Sequence, residues 1–332
     1  MSTPFFSVLL PVYNAESFIA RALRDLLAQT FHDFEIIVVD DGSSDGTAEV
    51  VSCIPDQRIR LISLPSNRGL VSALNAGLAE ARGAWIARQD ADDRCRRDRL
   101  ERQRSLILQN STGVLFYSRA MLIDHRGWWR GSMRPPLRDQ GLRWDLCFRN
   151  TIPHTSVVFS TDLVREELDG YSGDNVTADF DLWSRLLRRG EGMGDGHSLV
   201  SYRIHSSSIM GRENAGAERK SNAGVAAIMR QNLREWSEAS EQEAAIISLG
   251  WLDPAMANWE QYFSARERLS SCHLHPAESL IAEEDYSLMH LAATVSPDCA
   301  SALLRAMRSV APKRYAAMPK PRFLMTRILK GF

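Results

Sequence analysis

The sequence predicts an α/β chain, a mostly parallel sheet covered by helices on both faces, with a helical appendage after it. Three observations carry this reading. Apolar runs at residues 6–12 and 34–39 have the length and composition of strands buried on both faces. Segments with a single apolar helical face separate such runs, and strand–helix alternation at this spacing means a parallel sheet. From about Asn214 the strand patterns stop and long helical patterns take over.

The elements follow in order. Residues 15–29 place Phe18, Ile19, Ala22, Leu23, Leu26 and Leu27 on one helical face. Asp41-Gly-Ser-Ser-Asp-Gly46 is a cluster of turn and cap residues, from which a helix runs to about Cys53. Residues 58–64 form a third strand, shorter in apolar content. A helix over 69–82 puts Leu70, Ala73, Leu74, Gly77 and Leu78 together, and Gly83 closes it. A fourth strand at 84–87 ends in Arg88-Gln89-Asp90-Ala91-Asp92-Asp93, and 97–109 is again helical. Residues 124–150 read as irregular, since Pro135-Pro136 excludes helix there. A strand at 156–159, a short helix from Thr161, a helix over 179–189 and a strand at 199–204 complete the α/β part. Helical patterns at 223–238, 241–249, near Tyr262 and over 285–308 form the appendage, so the expected division is 1–212 and 213–332.

Composition excludes several classes. A hydrophobic share of 44% supports an ordinary core. The net charge of −1 points away from nucleic acid or another polyanionic partner. That balance is uneven: residues 299–332 carry eight basic residues and no acid, which leaves −9 on residues 1–298. Five widely spaced cysteines without a CxxC pattern suit a reduced, cytoplasmic setting. The N-terminus lacks the basic start of a signal peptide, and no stretch approaches the length of a spanning helix. Cys272-His273-Leu274-His275 lacks the second pair that a zinc site needs.

The chemistry begins at Asp90-Ala91-Asp92. Two carboxylates one residue apart at a strand end can share a hard cation, Mg²⁺ or Mn²⁺, which takes oxygen ligands and keeps places for substrate phosphates. Such a cation neutralises charge building on a diphosphate leaving group. Taken alone, the run suits equally well the capped start of the next helix. Open α/β sheets bind ligands beyond the carboxyl ends of their strands, and Asp40-Asp41 ends the second strand as the acidic run ends the fourth. The sequence has neither GxxxxGK[ST] nor GxGxxG, so phosphate needs another holder. Pro11-Val-Tyr-Asn-Ala-Glu16 also lacks the Gly-rich basic loop of nucleotidyltransferases.

Four strings occur in order: Pro11-Val-Tyr-Asn-Ala-Glu16, Val38-Val-Asp-Asp-Gly-Ser-Ser-Asp-Gly-Thr47, Asn67-Arg-Gly-Leu70 with Asn75 and Gly77 beyond it, and Ile86-Ala-Arg-Gln-Asp-Ala-Asp-Asp93. Together they resemble the family 2 glycosyltransferases of the GT-A fold, over about residues 5–210. The resemblance implies that Pro11, Tyr13, Glu16, Asp40 and Asp41 line the base and ribose of a nucleotide, with Asn67 and Gly69 beside it. Arg88 would lie near the donor or make a strand-end ion pair, with Ala91 near the donor, Asp90 between ribose and metal, and Asp92 on the metal. Ala178-Asp179-Phe180-Asp181-Leu182-Trp183 matches the family's catalytic segment, with Asp179 at the position of the base and Ala178 in place of the usual partner acid. Asp179 also suits the cap of a helix. Tyr202-Arg203-Ile204-His205 resembles the Tyr-Arg-x-His segment and makes His205 a further metal ligand. His154, in Asn150-Thr-Ile-Pro-His-Thr-Ser156, falls on the diphosphate or acceptor side, or is a satisfied loop histidine.

Trp128 and Trp129, between Arg126 and Arg130, suit an acceptor flap, because aromatic faces stack on sugars and arginine pairs with phosphate; packing tryptophans are the plain alternative. The expected reaction moves a sugar, with inversion, from a nucleotide-diphosphate donor, UDP-linked, to a hydroxyl of a glycan or lipid-linked acceptor in cell-surface polysaccharide synthesis. A non-catalytic scaffold of the same fold, which Ala178 favours, is the competing reading. The basic tail interleaves Phe323, Leu324, Met325, Ile328, Leu329 and Phe332 with Arg322, Arg327 and Lys330. Such a stretch lies on the anionic inner face of a membrane or docks on the acidic remainder of the chain.

Overall fold

The computed structural model describes residues 3–175, 177–204, 219–252 and 257–269, together with 302, 303, 305, 306 and 309. Strands β1 (Phe6–Val12) and β2 (Phe34–Asp40) are buried at every position. That is why both read as unbroken apolar runs rather than alternating ones. With β3 (Ile59–Ser63) and β4 (Trp85–Arg88) they make a parallel set in the order β3-β2-β1-β4. Helices α1 (Glu16–Leu27), α2 (Thr47–Ser52) and α4 (Arg99–Gln109) cover one face: Ile19, Leu23, Leu26, Val51, Leu100 and Ile107 join Val8, Leu10, Ile36 and Val38 in one apolar cluster. Helix α3 (Leu70–Glu80) covers the other face, its Gly77 against Leu9 and Val39.

Beyond β4 the sheet becomes mixed. Its order continues β8 (Val158–Ser160), β6 (Gly113–Ile123), β9 (Glu191–Arg203), β5 (Arg94–Cys95), with β7 (Trp129–Met133) paired to β6. β6 and β9 run parallel; β8 is antiparallel to both β4 and β6, and β7 to β6. The expected parallel sheet therefore holds for the first half of the fold. Residues 124–150 are also more regular than expected. They contain β7 and helix α5 (Asp139–Leu146), because Pro135-Pro136 only blocks helix at the join between them. β9 starts at Glu191 rather than near residue 199, its beginning diluted by Gly192, Gly194 and Gly196. Helix α6 (Ala178–Leu187) buries Phe180, Leu182, Trp183, Leu186 and Leu187.

The chain divides into two compact units, residues 1–142 with 151–221, and residues 143–150 with 222–332. In the second, α7 (Arg219–Trp236), α8 (Glu241–Leu252) and α9 (Trp259–Leu269) gather round the 143–150 segment. Asn232 Nδ2 donates to the Leu146 carbonyl at 2.8 Å, and the Arg266 guanidinium lies 4.9 Å over the Phe148 ring. Among the described residues no helix is long and apolar enough to cross a membrane. His205, the basic tail and most of the helical pattern at 285–308 lie outside the described residues.

Candidate active site

The loops after β1 and β2 are stitched together. Asp41 N donates to the Val12 carbonyl at 2.9 Å. Asn14, in the left-handed region at φ 49°, accepts Ser44 N at 2.9 Å, and its own N donates to Ser43 Oγ at 2.9 Å. Glu16 Oε2 accepts Gly46 N at 3.1 Å, and Asp40 Oδ1 accepts Ser43 N at 3.0 Å. The buried Asp41 uses both carboxylate oxygens on the next loop, accepting Arg68 N and Gly69 N at 2.8 Å each. Asn67 Oδ1 also accepts Gly69 N, at 3.1 Å. Gly69 sits at φ 90°, a backbone state that side chains other than glycine's rarely adopt. Pro11, Tyr13, Glu16, Asp40, Asp41, Asn67 and Gly69 thus share one rim. Tyr13 and Asn67 are exposed on it, Pro11 is buried in β1, and Asp41 shapes the loop from below.

The acidic run is held from three directions. Arg88, wholly buried, donates through Nη2 to Asp90 Oδ1 at 2.6 Å and through Nη1 to the Gln89 carbonyl. Arg99 of α4, equally buried, donates to Gln89 Oε1 and to the Arg88 carbonyl, both at 2.7 Å. Asp90 N donates to Thr155 Oγ1 at 3.1 Å. Arg203, at the end of β9, donates through Nε to the Asp92 carbonyl at 2.8 Å and through its backbone N to Asp93 Oδ1 at 2.7 Å. Ala91 packs against the core. Burial, and then the charges of Asp90 and Asp92, push the Asp93 carboxyl well above the ordinary range.

His154, Tyr171, Tyr202 and Asp179 lie near enough to the run for charge to act between them. His154 Nε2 lies 3.2 Å from the Tyr171 hydroxyl, and its ring stands edge-on to Trp183 at 5.6 Å. Burial pushes the His154 imidazole down to about 3, with Arg88 acting the same way. Burial raises the Tyr171 hydroxyl, and Asp179 and Asp90 add to the rise against the effect of Arg88. Tyr202 is raised by burial and then by the charges of Asp90, Asp93, Asp92 and Asp179. Four carboxylates therefore bear on one hydroxyl. Asp179 lies in the first turn of α6, accepting Phe180 N at 2.7 Å; the cap position belongs to Thr177.

Trp128 and Trp129 are each 69% exposed, at the turn between β6 and β7. Their turn is rigidly built. Asp124 Oδ1 accepts Arg126 N and Trp128 N at 2.9 Å each, and Oδ2 accepts Arg130 Nη2 at 2.6 Å. Burial works to raise this carboxyl, but the hydrogen bonds from Arg130, Trp128 and Arg126 outweigh it and hold Asp124 at about 2. Arg203 Nη1 donates to the Asp124 carbonyl at 2.7 Å, so one guanidinium joins the tryptophan turn to the acidic run.

Sequence reasoning did not single out Arg99, Thr155, Tyr171, Tyr202 or Arg203 for the site. Tyr202 and Arg203 stood inside a quoted string; Arg99 reads as one more charged residue on an amphipathic helix. The donor chemistry fits a hard divalent cation, since the converging groups are carboxylates and their mutual repulsion is visible at Asp93. Among the described residues no set of three or more His, Cys, Asp and Glu side chains is arranged to hold an ion alone. Water and diphosphate oxygens would complete such a shell.

A half-parallel sheet of this order, covered by helices on both faces, is the GT-A fold of glycosyltransferases. S. aureus TarS 1–349 in complex with UDP-GlcNAc superposes with a TM-score of 0.60 at 16% identity, over 98% of this chain and 92% of that one. The mannosyltransferase PcManGT from Pyrobaculum calidifontis, solved with GDP-Man and Mn²⁺, gives 0.53 at 18%, over 99% and 85%. Likeness at this level of identity speaks for the fold alone. Residues 7–167, just under half of the chain, match the sequence profile of Glycosyl transferase family 2. A glycosyltransferase of Haemophilus influenzae is 38% identical over 112 residues, 33% of this chain and 45% of that protein. The succinoglycan biosynthesis protein ExoO of Rhizobium meliloti is 48% identical over 99 residues, 30% and 28%. TuaG of Bacillus subtilis, a glycosyltransferase assigned to teichuronic acid biosynthesis, is 29% identical over 211 residues, 62% and 81%. The chain matches less than half the length of the first two.

Proposed function

We propose that this chain transfers a hexosyl or N-acetylhexosaminyl group, with inversion, from a UDP-linked sugar to a hydroxyl of a glycan or lipid-linked acceptor in cell-surface polysaccharide synthesis. The observation that carries this reading is that the charges of Asp179 and Asp90 bear on the same two hydroxyls, those of Tyr171 and Tyr202. A single displacement needs a base on one side of the anomeric carbon and a stabilised leaving group on the other.

Each residue has a task in that scheme. Tyr13 and Asn67 meet the nucleotide at the rim, while Asp41 fixes the 67–69 loop beneath it. Asp92 and Asp90, with His205, would hold a divalent cation, Mn²⁺ or Mg²⁺; when bound, it neutralises the diphosphate as the bond to the sugar breaks. Arg88 orients Asp90. Asp179 takes the proton from the acceptor hydroxyl as that oxygen attacks. A neutral His154 lines the acceptor side without adding charge. Trp128 and Trp129 offer flat faces on which an acceptor sugar can stack.

In the same reading residues 1–212 form the catalytic domain and 213–332 a helical appendage. The protein works in the cytoplasm, and its basic tail rests on the inner face of the membrane. Removing residues 319–332 should then abolish sedimentation with anionic vesicles. Calorimetry with UDP, GDP, CDP and dTDP in Mn²⁺ tests the donor. Binding of UDP that disappears with EDTA is expected, and no binding by any of the four would sink the proposal.

A further inference from the structure

The segment between β8 and α6 is gripped from two sides. On one side Arg185 of α6 donates to the Leu168 carbonyl at 2.6 Å and to the Gly170 carbonyl at 2.9 Å. It also pairs with Asp181 at 2.7 Å, and Asp181 accepts Ser172 Oγ at 2.6 Å. On the other side Asn75 of α3 makes a two-point clamp on the main chain: its Oδ1 accepts Tyr171 N and its Nδ2 donates to the Tyr171 carbonyl, both at 2.8 Å. The fit is close. Gly170 lies at φ 72°, and a Cβ there would come within 2.5 Å of Asn75 Oδ1. Tyr171 carries the clamp inward, its hydroxyl 3.2 Å from His154 Nε2 and its ring against Trp183 of α6.

The same helix begins at the donor loop. Gly69 precedes α3, and both it and Arg68 are held by Asp41. Asn175 completes a second link, since its Oδ1 accepts Val71 N at 3.4 Å and a Cβ on Gly69 would touch its amide at the same distance. From Asp41 to the helix that bears Asp179, every step is therefore a hydrogen bond or a packed contact within one unit.

We infer that Asn75 is a positioning residue that couples the nucleotide loop to the base-bearing helix, so that donor binding orders residues 168–175. This rests on the reading of the rim as a nucleotide site. Asn75 touches neither substrate, and its removal acts through Tyr171 and α6.

Amide hydrogen exchange of the full chain, with and without UDP and Mn²⁺, tests the coupling in wild type, Asn75→Ala and Asn175→Ala. In wild type the nucleotide should slow exchange over 168–175 by at least about fivefold. In Asn75→Ala the slowing should fall below about twofold while UDP affinity stays within about threefold of wild type. Asn175→Ala, a substitution at an exposed side chain, should give a partial loss and carries the test if Asn75→Ala does not fold. Slowing that persists in both variants, wild-type binding without any slowing, or UDP affinity that falls in step with the slowing would each overturn the inference. Failure of wild type to bind any nucleotide is a separate result: it defeats the reading beneath and the coupling with it.

Discussion

Arg88 and Asp90 form an ion pair at 2.6 Å in which the arginine is wholly buried and the aspartate is 27% exposed. The guanidinium fixes one carboxylate of the acidic run in place and offsets part of its charge before any cation arrives. Its two terminal nitrogens reach the Gln89 carbonyl and Asp90, which offsets part of the cost of burying the charge, while Nε has no hydrogen-bond partner among the described residues.

Arg88→Met keeps the volume but strands the carboxylate. Breaking a buried pair by removing one partner costs about 3–5 kcal/mol, and partial exposure of Asp90 reduces that to about 2–3. With one positive charge gone, Mn²⁺ should bind the nucleotide-free protein more tightly. Denaturant unfolding and a Mn²⁺ titration check both statements; unchanged stability with unchanged Mn²⁺ affinity would mean the pair does not form.

His154 predicts a pH dependence. Its folded value is depressed to about 3, while the unfolded chain takes a proton near the ordinary value of 6.5. Above 6.5 both states are neutral and the stabilisation is complete. As pH falls from 6.5 towards 3, the unfolded state binds the extra proton, and stability drains at up to about 1.4 kcal/mol per pH unit. Urea midpoints at pH 7 and pH 5 should therefore differ more in wild type than in His154→Gln. Equal differences in the two proteins would place a charged His154 in the fold.

The tryptophan turn separates acceptor use from donor use. Replacing both Trp128 and Trp129 by alanine removes exposed rings, so stability should change by no more than about 0.5 kcal/mol. UDP binding should be unaffected, whereas transfer to added glycan should fall at least about tenfold, with KM for the acceptor raised. A matching loss of UDP affinity would put the turn at the donor side instead.

The fold was legible where burial was total. β1 and β2 are buried at every position and announced themselves as apolar runs. The acidic run was legible because it sits at the end of such a strand. β6 and β7 were not: the Arg-Gly-Ser interior of β7 breaks any alternation. The links that assemble the site were hidden for another reason. Arg203 reaches Asp92 and Asp93 across 110 or more residues, and Asn75 reaches Tyr171 across 96. Both stand in strings that carry the family resemblance, but nothing local names their partners, since arginine at a strand end and asparagine on a helix read as solvated side chains. Asp41 shows the opposite case: its motif marks it for the nucleotide, and the structure adds a second task that no motif announces, since its oxygens hold the backbone of Arg68 and Gly69.

The central claim is that Asp179, whose charge acts with that of Asp90 on the Tyr171 and Tyr202 hydroxyls, takes the acceptor's proton. Asp179→Asn preserves shape and removes the base. Turnover of the UDP-sugar donor, measured beside UDP binding in Mn²⁺, should fall by about 10²–10⁴-fold while UDP affinity stays within about threefold of wild type. Near-normal turnover by Asp179→Asn, with UDP bound as usual, would contradict the account.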